Sequence, residues 1–254
     1  MKISSSQNAN FKFWKELKSA KSIRESQYFF LMGEKIIKEF LSWPEKNPSR
    51  KKFELTAEIF TESHPSVTSS EINKYELPNG LFKELDVIGT GFNLLLLKYT
   101  SFEKFNLNSA PQGLEVLSPL GDPGNMGALV RSALAFGVNK IILTKESCHP
   151  FHPRALKASA GASLLMDFAQ TEESFLKIPI QSYDYFLDQD GKDIFTFAWP
   201  QKLRLWVGEE GPGISELSAK NPQQILSIKT QGVESLNATV AASLAISQWS
   251  RNQP

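Results

Sequence analysis

The sequence predicts an α/β protein whose second half is built on a mainly parallel sheet, with a smaller α/β domain before it. Short apolar runs bounded by turn residues recur at residues 114–117, 140–144, 164–168, 203–207 and 224–228. Helical stretches alternate with them, at residues 128–136 and in the Ala-rich 237–249. Strand–helix alternation of this kind is the pattern of parallel β-α-β units. A polar stretch, residues 106–112 with Asn108-Ser109-Ala110-Pro111, separates this half from what precedes it.

The first half reads element by element. Residues 10–21 form an amphipathic helix, with Phe11, Trp14, Leu17 and Lys18 near helical spacing. The apolar run 28–32 ends at Gly33 and feeds a helix over 34–41. Trp43-Pro44 stops that helix, because a residue before proline avoids the α region. Residues 53–60 alternate apolar and polar side chains and predict a strand. A polar stretch, 64–73, follows, then a helix at 81–85, the turn Gly89-Thr90-Gly91 and a buried strand at 92–98. There is no internal repeat.

Composition narrows the class. At about 150 residues per domain, 254 residues allow one large or two ordinary domains. With 41% hydrophobic and 11% aromatic residues, a disordered chain is excluded. The single cysteine, Cys148, excludes an internal disulfide framework and suits a cytoplasmic location. No apolar run approaches the ~20 residues needed to span a bilayer. The net charge of +1 conceals an asymmetry: residues 1–108 carry 16 basic and 13 acidic residues, residues 109–254 carry 12 and 14. Residues 1–52 alone hold 12 basic residues against five acids, a net of +7. A local basic face is enough to bind phosphates, whereas the plainer explanation is a solvated lysine-rich surface. The basic, Ser-containing opening also raises a transit peptide, but Glu16, Glu25 and the preference for Lys over Arg count against one.

Three loops follow predicted strands or precede a helix, where α/β domains place ligands. The first is Asp122-Pro123-Gly124-Asn125-Met126-Gly127, leading into a helix that presents Arg131. Asn125 suits the cap of that helix, and Arg131 is expected one turn in, where an anion is favoured. The second is Gly208-Glu209-Glu210-Gly211-Pro212-Gly213, whose glycines let backbone approach a ligand. The third is Ser235-Leu236-Asn237, at the head of the closing helix. Taken singly, each has an ordinary explanation as a cap, a surface residue or a tight turn.

Together the three loops resemble the SpoU/TrmH family of RNA 2'-O-ribose methyltransferases, within the SPOUT superfamily. Asn125, Gly127 and Arg131 match its first motif, and Gly208, Glu210, Gly211 and Gly213 its second. Ile228, Ser235, Leu236 and Asn237 match its third, and Lys157-Ala158-Ser159-Ala160-Gly161-Ala162 is also similar. The first half is similar to the substrate-binding domain that precedes the catalytic domain in many members, through Arg24 and Tyr28-Phe29-Phe30-Leu31-Met32-Gly33-Glu34. The resemblance implies a SPOUT knotted parallel-sheet methyltransferase domain over 109–254, with a C-terminal trefoil knot, after a small α/β RNA-substrate-binding domain over 1–108. It implies a homodimer that binds S-adenosyl-L-methionine largely through backbone groups. Gly208, Ile228 and Leu236 would contact the cofactor, and Asn125, Arg131, Glu210, Ser235 and Asn237 would surround the reacting ribose. The chain departs from the family pattern at Ile228-Lys229, where Ile-Pro is usual, and at Asn237-Ala238-Thr239, where Asn-Val-Ser is usual. The gap from Ile228 to Ser235 is a residue short, and Glu209 takes a position that is commonly small or neutral.

The function implied is methyl transfer from S-adenosyl-L-methionine to a ribose 2'-hydroxyl, most readily in large-subunit ribosomal RNA. A transfer-RNA substrate, or an RNA-binding ribosome-assembly protein that has lost catalysis, are the alternatives. Such a reaction chiefly needs alignment, which supplies roughly 7–11 kcal/mol of a barrier. The family proposal of an arginine base meets an obstacle, because a guanidinium ordinarily titrates above about 12. Deprotonating one near neutrality costs about 7–8 kcal/mol. Arg131 is therefore expected to anchor a phosphate by charge-assisted hydrogen bonds. Cys148-His149-Pro150-Phe151-His152 holds zinc-ligand types without a clear fourth ligand, so no metal is expected.

Overall fold

Tyr28-Phe29-Phe30-Leu31 is apolar at every position, which suits a strand covered on both faces. In the computed structural model, which describes residues 1–44, 46–69, 71–208 and 221–253, these residues form β1 (Tyr28–Leu31). β1 belongs to a four-stranded sheet of order β1-β4-β2-β3, with β2 (Phe53–Phe60), β3 (Asn73–Glu76) and β4 (Leu94–Tyr99). β4 runs antiparallel to β1 and β2, and β3 runs parallel to β2. Successive side chains point to opposite faces. Phe30, Met32, Leu94 and Leu96 share a core with Phe11 and Trp14 of α1 (Ala9–Glu16), with Leu17, and with Phe82 and Leu85 of α4 (Asn79–Leu85). Phe29 points the other way. Its ring stacks on Phe151 at 4.6 Å and meets Phe53 edge-on at 5.8 Å. Phe53 in turn packs on Phe40 of α3 (Glu34–Ser42).

Phe151 reaches this core from far along the chain. The first compact unit joins Met1–Ser101 to His149–Leu165, and the second joins Phe102–Cys148 to Met166–Pro254. The returning segment carries α6 (Pro153–Ala158), whose Pro153, Ala155 and Leu156 are buried. Gly161 follows in a left-handed conformation, φ +84°, where a β-carbon would lie 3.2 Å from Ile36.

The expected helix over 10–21 is two helices, α1 and α2 (Ala20–Ser26). Leu17 completes the buried stripe of α1, and Ser19 is then extended (φ −104°, ψ 132°), which turns the chain into α2. The helix expected to end at Trp43 does so, with Trp43 extended before Pro44. Inside the sheet, the carboxylate of Glu58 is wholly buried. It accepts hydrogen bonds from the Ser66 hydroxyl at 2.7 Å, the Val67 N–H at 2.8 Å, the Thr68 hydroxyl at 2.6 Å and the Asn93 amide at 2.7 Å. Burial pushes this carboxyl up, but its hydrogen bonds outweigh that and hold it below the usual carboxylate range.

The second unit is a seven-stranded parallel sheet of order β11-β9-β10-β6-β7-β8-β5. Its strands are β5 (Glu103–Lys104), β6 (Leu114–Ser118), β7 (Lys140–Leu143), β8 (Phe168–Gln170), β9 (Asp184–Asp193), β10 (Leu203–Trp206) and β11 (Ile225–Ser227). Leu117, Ile142, Phe175, Phe186 and Trp206 form one core cluster. Helix α5 (Pro123–Ala135) packs against the closing helix α7 (Ala238–Arg251), where Ala242 and Ala245 are fully buried and permit close approach. The strand expected at 164–168 is shifted: residues 162–164 make a 3₁₀ turn, and β8 begins only at Phe168. β9 has no counterpart in the sequence expectation, because Asp184, Asp188, Asp190 and Asp193 give it the polarity of a loop.

Those acids include a structural one. Arg204 of β10 is 1% exposed and donates to Glu115 of β6 through Nε (3.1 Å) and Nη2 (2.9 Å). Its Nη1 lies 3.4 Å from Asp184 of β9, and Nη2 also donates to the Ser109 carbonyl at 2.8 Å. The rings of Phe105 and Tyr183 lie 4.7 and 5.2 Å from the guanidinium. Burial pushes the Asp184 carboxyl up, partly offset by the Gln181 N–H and the Arg204 charge. Removing the cation leaves two buried acids without their partner. Arg204→Leu is expected to destabilise the protein by about 3–5 kcal/mol, measured as a lowered urea midpoint. A loss under about 1 kcal/mol, the scale of a surface pair, contradicts the network.

Candidate active site

The first motif loop is largely helix. Asp122 caps α5, its carboxylate accepting the Asn125 N–H at 2.8 Å, and Pro123 occupies the first turn with its φ already suited to a helix. Asn125 is therefore not the cap, as its sequence position suggested, but a half-buried residue inside the first turn. Arg131 lies correspondingly deeper, more than two turns in, rather than at the helix start. Its side chain is exposed, and it makes no hydrogen bond or ion pair among the described residues.

The third motif caps α7 as expected. Asn237 Oδ1 accepts the N–H groups of Thr239 at 3.0 Å and Val240 at 3.3 Å. Its amide Nδ2 donates to Asn125 Oδ1 at 3.3 Å, joining two motifs 112 positions apart. The Thr239 hydroxyl donates to the Asn125 carbonyl at 3.2 Å. Ser132 and Ser243 are in hydrogen bond at 2.8 Å. Seven residues make nearly two turns, so Asn125 and Ser132 share the stripe of α5 that faces α7. Arg131, one position earlier, points about 100° away from Ser132, which explains its exposure.

The structure thus brings Asn125 and Asn237 together. Gly208 follows β10 and Ile228 follows β11, both half-buried at the carboxyl ends of parallel strands. Ser235 is exposed and Leu236 half-buried immediately before the Asn237 cap. Glu210, Gly211 and Gly213 lie outside the described residues. Asp122, Ser132, Thr239 and Ser243 were not picked out as site-forming residues. For Asp122 the signal was present, since an Asp-Pro pair ahead of a helical stretch marks a helix start. For the other three nothing local distinguishes them from surface residues.

The two histidines of the Cys-His-x-x-His stretch both hold hydrogen bonds within the first unit. His149 Nδ1 accepts the Phe151 N–H at 3.1 Å, so Nε2 carries the proton and donates to the Tyr99 hydroxyl at 2.9 Å. His152 accepts the Arg154 N–H on Nδ1 at 3.3 Å and meets the Lys18 carbonyl through Nε2 at 3.0 Å. Complete burial, with the Arg24 charge as a second cause, depresses the His149 imidazole to about 3. Burial likewise raises the Tyr99 phenol to about 12.

Parallel strands with loops at their carboxyl ends, beside two capped helices, are the arrangement in which α/β domains place ligands. The chain belongs to the SpoU rRNA Methylase family, whose pattern matches residues 115–247. It is 35% identical, over 99% of its length, to a protein of Syntrophobacter fumaroxidans named ribosomal RNA small subunit methyltransferase G 2, of which it covers 49%. The 23S rRNA (guanosine(2553)-2'-O)-methyltransferase RlmP of Bacillus subtilis is 23% identical, with 96% of this chain and 97% of that one aligned. Among solved structures, an AdoMet-bound rRNA methyltransferase from Sinorhizobium meliloti superposes with a TM-score of 0.77 at 19% identity, covering 99% of this chain and 97% of that one. The chain spans about half the length of the first curated relatives it matches.

Two outcomes test this geometry. Asn237→Ala is expected to cost about 1 kcal/mol through the lost cap, whereas Asn237→Asp keeps the cap and recovers most of that stability in thermal unfolding. Acid is expected to weaken the first unit through His149. Between its ordinary value near 6.5 and its folded value of about 3, the unfolded ring binds a proton that the native ring does not, so stability falls as pH falls through that window. From pH 7 to pH 5 the wild type is expected to lose about 2 kcal/mol on this account. His149→Gln removes that slope, and identical pH profiles for the two proteins contradict the assignment.

Proposed function

We propose that the chain is an S-adenosyl-L-methionine-dependent methyltransferase acting on a ribose 2'-hydroxyl in large-subunit ribosomal RNA. The observation that carries this reading is the Asn125–Asn237 contact, which joins the first and third motifs of the family at one place. Its substrate class is supported by RlmP, a relative of matching length whose name specifies 2'-O-methylation of 23S rRNA. The small-subunit name of the S. fumaroxidans relative belongs to a protein about twice as long, so it weighs less.

Residues 109–254 would perform the transfer, with the C-terminal segment threading the knot that the family resemblance implies, and residues 1–108 would bind RNA. The cofactor residues fit their assignment. Gly208 and Ile228 end parallel strands, are half-buried, and put backbone groups and one apolar side chain where a nucleoside can be held. When bound, S-adenosyl-L-methionine supplies an activated methyl group. The protein's own contribution is position. Asn237 has both Oδ1 contacts committed to its helix, which fixes the rotation of its amide, and it orients Asn125 in turn. The Asn125 amide nitrogen is left to meet an oxygen of the ribose or its phosphate. Arg131, exposed and without a partner among the described residues, is suited to grip a phosphate with two parallel N–H donors. Ser235, Leu236 and Glu210 complete the site in this reading. The protein works in the cytoplasm as a homodimer; Val240 and Leu244, one turn apart on α7 and exposed, are apolar surface available to a second copy.

Calorimetry with S-adenosyl-L-methionine is expected to show saturable binding, and its absence overturns the enzymatic reading in favour of an RNA-binding protein without catalysis. Mapping 2'-O-methyl sites in total RNA from a deletion strain is expected to show one large-subunit site lost; loss of a transfer-RNA site instead corrects the substrate. Arg131→Lys keeps the charge but not the two-pronged geometry. It is expected to slow methyl transfer by about 10- to 100-fold, the scale of a charged hydrogen bond, with cofactor binding unchanged. A near wild-type rate rules out a bidentate role.

A further inference from the structure

The two compact units separate charge more sharply than the sequence halves do. The first, Met1–Ser101 with His149–Leu165, holds 17 basic and 12 acidic residues, while the rest of the chain holds 11 and 15. Within the first unit the basic residues are not equivalent. Lys2 is bridged to Glu76 at 2.9 Å, Lys15 to Glu84 at 2.7 Å and Lys38 to Glu34 at 2.6 Å, and Lys21 lies 3.9 Å from Glu25. Four of the twelve cations in residues 1–52 therefore already have an acid of the protein beside them at the surface. Lys12 and Lys35 stand singly on α1 and α3.

The segment Lys46-Asn47-Pro48-Ser49-Arg50-Lys51-Lys52 differs. It has four cations in seven residues and no acid between Glu45 and Glu54. Lys46 and Lys51 are exposed and have no ion pair among the described residues. The backbone that carries them is ordered by its own hydrogen bonds. Asn47 Oδ1 accepts the Ser49 N–H at 2.9 Å, and the Lys51 N–H donates to the Asn47 carbonyl at 3.2 Å. The Thr100 N–H donates to the Lys52 carbonyl at 3.2 Å, tying the turn to the end of β4. Arg50 is fixed over the Phe40 ring at 4.4 Å and donates to the Phe53 carbonyl at 3.1 Å, so its charge stays within the turn.

We propose that the 46–52 turn, with Lys46 and Lys51 as the contacting side chains, is a docking element for the RNA phosphate backbone. The assignment rests on the RNA-methyltransferase reading and adds the place where the first unit grips its substrate. A polyanion is the occupant that the charge fits, and a pre-ordered turn presents its cations without the cost of ordering a loop. The turn positions RNA and reads no sequence, as phosphate contacts do.

The test is filter binding of the full chain to deproteinised large-subunit ribosomal RNA between 50 and 300 mM salt. Each lost phosphate contact lowers the slope of log K against log salt by about 0.7–0.9. Lys46→Ala with Lys51→Ala is therefore expected to reduce the slope by about 1.4–1.8 and the affinity at 0.1 M salt by about 25- to 60-fold. Lys2→Ala with Lys15→Ala, which removes two bridged lysines, is expected to change the slope by less than about 0.5. Cofactor binding by calorimetry is measured on both double variants to show that each is folded. An unchanged slope for the Lys46/Lys51 variant, or an equal drop for the Lys2/Lys15 variant, overturns the assignment while leaving the RNA reading standing. Absence of salt-dependent RNA binding in the wild type overturns both.

Discussion

Arg204 sits where three parallel strands begin, and much of the second unit can be understood from that position. It is the second residue of β10, Glu115 is the second residue of β6, and Asp184 is the first of β9. Removing three charges from water is costly, and their mutual attraction repays it only when the geometry is well satisfied. Here a two-pronged contact to one acid, a third donor toward the other, a carbonyl and two aromatic faces meet that condition. The contact aligns the amino ends of β6, β10 and β9, neighbours in the sheet. The carboxyl ends of β6, β10 and β11 lead into the three motif-bearing segments.

Elsewhere in the second unit, small polar side chains join two helices. Asn125, Ser132, Thr239 and Ser243 would be undistinguished on a solvated helix. Between α5 and α7 they interlock, and the alanines of α7 let the helices approach closely enough for short side chains to meet. The departure from the family's usual third motif is mild in this light. Thr239 still has a hydroxyl, and that hydroxyl holds the Asn125 carbonyl. Lys229, the larger departure, is exposed and follows Ile228 outside the strand.

The first unit shows how a strand pattern can be right while its reason is hidden. β1 and β4 are apolar at consecutive positions, so both faces need cover. One face is covered by α1 and α4, adjacent in sequence to the sheet. The other is covered in part by Phe151, on a segment that sequence order places in the second half. His149 and His152 then act as hydrogen-bonded parts of the first unit, which accounts for ligand-type residues in a Cys-His-x-x-His spacing.

Strand positions 114–117, 140–143 and 203–206, the closing helix, the Trp43-Pro44 stop and the cap at Asn237 were all legible in the sequence, because each rests on local periodicity or on one residue's backbone preference. The three motifs and their family were legible for a related reason: chemistry demands particular residue types at fixed spacing. Tertiary structure alone decided the rest. The acidic stretch 184–193 becomes a strand because Arg204, distant in sequence, neutralises Asp184, and no local pattern encodes that. The N-terminal helix breaks because the core takes Leu17 and then turns the chain at Ser19. Asn125 meets Asn237, 112 positions away, only because α5 and α7 pack together. The near-neutral total charge became informative only once ion pairs were assigned, since a lysine bridged to glutamate and a lysine open to solvent are identical in composition and opposite in the field each presents to a phosphate.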